Sequence, residues 1–376
     1  MISKIKQTIG NHAKNIIGWK TNRKIVVFSV DDYGNVRLHS KEARDKIFAA
    51  GTRAMSRFDL VDTLETTDDL NALYETLHSV RDKNGKPAVF TAYAISANID
   101  FERMASENYQ QYRYELLPDT FAKLPGYETT WALWQQGIRE RLIWSEFHGR
   151  EHLNVKVFME GIVNQNQDVL NSLANRSYTA ISDTGYSTIQ FPAALDFYLY
   201  QENESLKEIV RDGLNAFEKV FGFRATNFTP CGSNGYSTQL DPVLAEGGIR
   251  FITTDRTKAE HLGEGRFDKK KFYYTGKKNA LGQYYVVRNC VFEPTEDRGI
   301  DWVNYCLKQI EAAFRLNMPA NISSHRANFC GLVEPGNRER GLAALNALLK
   351  AIVTRWPDVE FMHAGEMGEL MLKDKQ

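Results

Sequence analysis

Two adjacent carboxylates, Asp31-Asp32, end the apolar run Lys24-Ile25-Val26-Val27-Phe28-Ser29 and are followed by Tyr33-Gly34-Asn35. Side by side they repel each other, so they need a cation or a shared proton. A site that uses one carboxylate as a metal ligand and the other as a base would be built this way. Asp-Asp-x-Gly is also good turn chemistry, with both groups solvated. Further on, His148-Gly149-Arg150-Glu151-His152 sets two imidazoles four residues apart. On a helical turn these positions share a face, so both rings can reach one ion. Adding Asp32 as an anionic third ligand gives two neutral nitrogens, one oxygen and open positions for water and substrate. That is the pattern of catalytic zinc, or of another divalent ion of similar preference. Such an ion lowers the pKa of bound water and polarises a carbonyl. Asp31 would then take the water's proton. His325, among the polar residues Ser323, Ser324, Arg326 and Asn328, would protonate the leaving group, because histidine titrates near neutral pH.

The elements that must position these residues follow from hydrophobic periodicity. The run before Asp31 is short and β-branched, as in a strand buried on both faces. A helix is predicted from Ser40 to Ala50, capped by Ser40 and closed by Gly51, and a second after Thr67, with Leu70, Leu73, Leu77 and Val80 on one face. Further strands are read at Ala88–Tyr93, Gly248–Thr254, Tyr284–Val287, Ala320–Ser323 and Val359–Met362, and helices at Ser205–Val220, Asp301–Leu316 and Glu339–Trp356. This alternation predicts an α/β chain with a parallel sheet, open or closed into a barrel. Asp31, Asp32, Asp255 and His325 each fall just after the C-terminal end of a strand. In a (β/α) barrel those ends converge on the face that carries the active site. Residues 1–22 are read as an N-terminal extension and 23–372 as a single catalytic barrel domain. An inserted loop is expected near 99–130, since Ile99 to Glu128 has no clear period.

The 376 residues carry a formal net charge of zero, which gives no broad nucleic-acid surface. The four cysteines show no CxxC spacing, which favours a reducing compartment. Met1 to Lys20 has no apolar core of signal-peptide length, and no stretch of about 18 apolar residues could span a bilayer. The expectation is a cytoplasmic protein with a frayed N-terminus rather than an amphipathic helix there. Lys269-Lys270-Lys271 and Lys277-Lys278 read as solvated loop charges, and Gly232 to Tyr236 as a glycine-rich loop over the site. The oligomeric state is left open.

The motifs carry a family resemblance. Ser29-Val30-Asp31-Asp32-Tyr33-Gly34 resembles the Asp-Asp-Gly motif of the NodB-homology polysaccharide deacetylases (carbohydrate esterase family 4). His148 to His152 matches that family's His-x-x-x-His motif, and Ile322-Ser323-Ser324-His325 is similar to its late histidine motif. More loosely, roughly Lys24 to Met371 resembles divergent polysaccharide (de)acetylases of bacterial surface-polysaccharide gene clusters. That likeness runs through Phe228-Thr229-Pro230, Arg288-Asn289, Phe292-Glu293-Pro294 and Ser324 to Phe329. The resemblance implies a distorted (β/α) barrel and a divalent metal ion held by Asp32, His148 and His152. Zinc is the first expectation, with Co, Ni, Fe or Mn as alternatives. It also implies Asp31 as base, His325 as acid, and hydrolysis of an N- or O-acetyl group. The substrate would be an acetylated sugar, a nucleotide sugar or a lipid-linked glycan.

The chain departs from the pattern in places. The family's Arg-x-Pro-Tyr motif is represented at best by Pro230. No Asp-x-x-Asp-Trp motif occurs, which leaves Asp255 as the candidate carboxylate behind His325. Tyr33 stands between the second aspartate and Gly34, as in YdjC-type sugar deacetylases. Tyr33, Pro230 and Arg326 are candidates for substrate contact or tuning. Two other readings compete. His-x-x-Glu-His is also an inverted zincin pattern, with Glu151 as the base of a metallopeptidase. A sugar-binding module could keep the fold without turnover.

Overall fold

Lys24–Tyr33 (β1) is buried along nearly its whole length, and its alternate side chains enter two different cores. Val26, Phe28 and Val30 pack with Leu70, Leu73 and Leu77, while Ile25 and Val27 pack with Trp19, Tyr284 and Met367. A strand covered on both faces has no use for polar alternation, which is why its apolar run is unbroken. The computed structural model describes residues 10–374 except 180, 182 and 233–235. Residues 1–9 of the N-terminal extension and Ser233-Asn234-Gly235 of the glycine-rich loop lie outside the described residues.

Eight more strands join β1 in one parallel sheet: Phe90–Ile95 (β2), Ile143–Gly149 (β3), Asn227–Phe228 (β4), Phe251–Thr253 (β5), Tyr284–Val286 (β6), Cys290–Val291 (β7), Ala320–His325 (β8) and Val359–Phe361 (β9). Their order is β6-β5-β4-β3-β2-β1-β8-β7, and β9 pairs with the start of β1. The two outermost strands, β6 and β7, run in the same sense and are separated only by Val287-Arg288-Asn289. Four Cα steps reach at most about 14 Å, so the edges must lie close together. A single extended passage pairs Tyr284–Val286 with β5 and then Cys290–Val291 with β8. It closes the sheet into a distorted (β/α) barrel.

Helices mostly lie where the periodicity places them. Ser40 caps Lys41–Ala49 by accepting from the Ala43 N–H, and Thr66 with Asp69 forms a capping box on Thr67–His78. Asn203–Phe221, Trp302–Arg315 and Pro335–Arg355 cover the barrel further along the chain. The strict alternation fails between β5 and β6. There the chain forms an antiparallel β-ribbon, in which Thr257–Lys258 pairs with Lys271–Phe272 and His261–Gly263 with Arg266–Phe267. The expected loop near 99–130 contains a small hairpin, Ala97–Ile99 with Tyr114–Leu116, and the helices Phe101–Ser106 and Leu117–Lys123. With six and seven residues these helices are too short to display a period.

The described part of the N-terminus is not frayed. Trp19 is buried; its N–H donates to the Thr275 carbonyl at 2.7 Å, and the Thr21 N–H to that of Asn317 at 2.8 Å. Asn15 accepts from Asn289 Nδ2 at 2.8 Å, so residues 10–22 form a strap across the closing passage. Among the described residues no helix is long and apolar enough to cross a membrane.

Candidate active site

In a regular strand Asp31 and Asp32 would point to opposite faces. Here the register with β2 pairs Val30 with Ala92 and Tyr33 with Ala94, so both aspartates oppose the single residue Tyr93. This bulge re-aims one side chain. Asp32 takes a left-handed conformation, φ 75°, which aspartate tolerates better than most residues. Both carboxylates thereby line one cavity of about 780 Å³ at the C-terminal ends of the strands.

A buried ionic cluster supports the bulge. Both oxygens of Glu65 accept from the Gly34 N–H at 3.2 Å. Arg326 donates to Glu65 at 2.9 Å and to Asp62 at 2.8 Å, and Arg37 adds ion pairs to Asp59 at 3.3 Å and Asp62 at 3.4 Å. Arg326 is therefore committed behind the site and does not line the cavity. Tyr33 is also turned into the core, edge-on to Trp134 at 5.8 Å. Neither residue is placed to contact a ligand, although both adjoin the motifs in sequence. Pro230 does line the cavity.

His148 and His152 converge, but not on a helix. His148 belongs to β3 and His152 to the loop that follows, folded back at Gly149, whose φ is 152°. A Cβ on Gly149 would stand 2.9 Å from Cys231 Sγ, so the reversal needs glycine. His148 Nδ1 lies 2.8 Å from the Thr229 carbonyl oxygen. A carbonyl only accepts, so Nδ1 carries the proton, and the Nε2 of a neutral ring holds a lone pair. That Nε2 is 3.3 Å from Asp32 Oδ1, and His152 Nε2 is 2.8 Å from the same oxygen. A lone pair facing a carboxylate oxygen in a buried pocket needs a proton or a cation between them. The donor set of two imidazole nitrogens and one carboxylate oxygen fits a divalent ion such as zinc. His148 also holds its other nitrogen on a carbonyl, as metal-binding imidazoles do.

Cys231 was not singled out by its sequence spacing. Its Sγ forms a group with the two imidazoles in which the ligand-type atoms lie within 4.8 Å of one another. Burial pushes its thiol pKa well up, and Sγ lies 2.9 Å from the His148 carbonyl oxygen. A protonated thiol there fastens the turn between the histidines.

Asp31 faces a different partner. The Arg288 guanidinium donates through both terminal nitrogens to both Asp31 oxygens at 2.6 Å, and also to Ser323 Oγ and Thr229 Oγ1 at 3.2 Å. Burial would raise the Asp31 pKa, but the Arg288 charge and hydrogen bonds outweigh it and hold the carboxyl below its ordinary value. Arg288 sits in the passage that closes the barrel, just past the run Tyr284 to Val287. It follows the same strand-end rule that pointed to Asp31, and that rule would have found it.

His325 ends β8 in register with Asp31 on β1 and lines the cavity. Its Nδ1 lies 2.7 Å from Glu293 Oε1. Glu293 is held in turn by Arg57 and by Asn328 Nδ2 at 2.8 Å. Burial opposes the imidazolium, but Glu293, helped by Asp32 and Asp31, raises the His325 pKa to about 9. The carboxylate behind His325 is thus Glu293 and not Asp255, which stays exposed on the cavity rim. Glu151 is buried, accepts from Arg150 Nε at 2.7 Å, and does not line the cavity.

No family model matches the chain, and no curated protein matches it. Solved structures similar to it include a probable polysaccharide deacetylase from Pseudomonas aeruginosa PAO1, at 11% identity over 93% of this chain and 91% of that one, TM-score 0.44. Another is the PuuE allantoinase, at 12% identity over 93% and 91%, TM-score 0.46. A family 4 acetyl xylan esterase from Clostridium thermocellum, in complex with a cobalt ion, matches at 9% identity over 92% and 91%, TM-score 0.37. Identities and scores this low transfer no residue's role.

Proposed function

We propose that the chain is a metal-dependent hydrolase that removes an N- or O-linked acetyl group from a sugar or glycan precursor. The observation that carries this reading is the joining, at one cavity, of the Asp32–His148–His152 donor set with Asp31 and His325. Asp32, His148 and His152 would hold a divalent ion, zinc first. When bound, the ion would lower the pKa of water and polarise the acyl carbonyl. Asp31, ionised at neutral pH beside Arg288, would accept the proton of the attacking water at a carboxylate oxygen. His325, kept protonated by Glu293, would deliver a proton to the departing nitrogen or oxygen of the sugar. A cavity of about 780 Å³ has room for a sugar substrate.

The metallopeptidase reading needs Glu151 beside the ion, and Glu151 is turned away onto Arg150. A sugar-binding module would need neither the Arg288–Asp31 pair nor the Glu293–His325 pair.

Elemental analysis of purified protein is expected to find one divalent ion per chain, removable by chelation together with acetate release from acetylated sugars. The His148→Ala/His152→Ala double variant should bind none. An unchanged metal content in that variant would dismiss the ligand assignment.

The pH profile tests the acid. Because Glu293 raises the His325 pKa above the ordinary histidine value, the proton it donates is present at neutral pH and is lost as pH rises through that raised value. The basic limb of kcat/KM should fall there. Glu293→Gln removes the charge that raises this pKa, so the limb should move toward neutral pH. A limb that stays in place would take Glu293 and His325 out of the mechanism.

A further inference from the structure

Of the twelve large apolar side chains that stand exposed among the described residues, six lie in two segments: Ile16 and Ile17 in the N-terminal strap, and Leu262, Phe267, Phe272 and Leu281 in or just after the β-ribbon. The two segments meet at the cavity rim. Arg256 lines the cavity, donates through Nη2 to the Lys14 carbonyl, and has its guanidinium carbon 5.8 Å from the centre of the Phe272 ring. The Trp19–Thr275 backbone hydrogen bond ties strap to ribbon a second time.

The charge on this face is one-sided. Residues 256–278 hold eight Lys or Arg and three Asp or Glu, in a chain whose formal net charge is zero. The strap adds the exposed Lys20, with no acidic residue between 10 and 22, while the Lys14 ammonium is turned inward beside Arg256 and Cys290. Lys269 and Lys270 are exposed and make no ion pair among the described residues. Lys258, by contrast, is buried on the inner side with its Nζ on the Tyr236 carbonyl at 2.7 Å. The ribbon therefore presents apolar and cationic side chains outward together.

Three occupants could cover such a face. A second copy would set one lysine row against the other. A nucleic acid would use the charges but leave the isoleucines and leucines without a counterpart. A bilayer with anionic head groups takes both: apolar side chains enter the boundary between head groups and acyl chains, and lysines meet the phosphates. We propose that the strap and ribbon form a docking surface for an anionic lipid bilayer, which holds the cavity mouth at the membrane surface. If the deacetylation reading stands, on which this consequence rests, the substrate taken from that surface is the sugar head of a lipid-linked glycan.

Co-sedimentation of the full chain with vesicles tests the docking. Binding is expected to phosphatidylcholine vesicles that contain phosphatidylglycerol, not to phosphatidylcholine alone, and should weaken as salt rises. Lys269→Glu/Lys270→Glu should lower the partition coefficient more than about tenfold. Phe267→Ser/Phe272→Ser should lower it as well, with the melting temperature of both variants unchanged. Absence of binding to either vesicle overturns the proposal. So does binding that ignores the phenylalanine variant and is matched by a single-stranded oligonucleotide, which would make this a nucleic-acid face. A dimer in solution that the same variants dissociate would equally overturn it. Vesicle binding uses no turnover, so its failure and the failure of the hydrolase reading are separate results.

Discussion

Asp31→Asn is expected to lower acetate release by about 10²–10⁴-fold, the usual range for a lost general base, while one divalent ion per chain stays bound. The substitution keeps the shape of the side chain and leaves Asp32, His148 and His152 untouched. It removes the only function the carboxylate has in the proposed reaction, since an amide oxygen does not take a proton from water at neutral pH. It also turns one acceptor facing Arg288 into a donor, so metal content and melting temperature must be measured alongside activity. Glu151→Gln is the matched control and should change activity little, because Glu151 lies outside the cavity. If Glu151→Gln proved the more damaging of the two, the metallopeptidase reading would replace the present one. If neither changed a demonstrated activity, Asp31 would have no part in it.

Arg326→Met is expected to cost about 3–5 kcal/mol of folding stability, the range found when one partner of a buried ion pair is removed. Arg326 is 1% exposed and donates to both Asp62 and Glu65, which are equally buried. Methionine fills part of the volume but leaves those carboxylates short of a cation. Burial already pushes the Glu65 pKa upward against the pull of Arg326, and without the arginine it must rise further. The native variant then binds protons that the unfolded chain does not, so its deficit relative to the parent should shrink as pH falls. Urea denaturation at neutral and mildly acidic pH reads both effects. A variant as stable as the parent at neutral pH would mean that the cluster carries little of the stability.

The strand-end rule explains how much of this site was legible. Asp31 and Asp32 follow an apolar run and His325 ends the short strand that begins at Ala320, and a parallel barrel leaves such strand ends one place to meet. Helical spacing predicts that His148 and His152 meet, and the sharp reversal at Gly149 brings them together instead, since both geometries carry residues four apart to one point. Asp255 followed its strand as well as His325 did. Which of two strand-end carboxylates meets His325 depends on the neighbouring strand, and β7 places Glu293 there. Arg326 and Tyr33 show the opposite error. Adjacency in sequence to a site residue says nothing about direction when the chain alternates or bulges. The β-ribbon between β5 and β6 was hidden because its paired segments are two or three residues long, below any period that can be counted.

The passage from Tyr284 to Val291 carries a consequence for how the molecule is assembled. It pairs β5 with its first half and β8 with its second, so neither partner strand can complete its hydrogen bonding until this stretch is in place. The contacts it makes also join segments tens of residues apart, and such pairings form late because the chain must first be brought together. Arg288 rides on that same stretch. A chain halted before this step would hold Asp31 without its guanidinium partner, and its repulsion of Asp32 would work against the bulge. Closure of the barrel and pairing of Asp31 with its guanidinium therefore depend on the same stretch of chain, which ties the charge state of this carboxylate to the last strand pairings of the sheet.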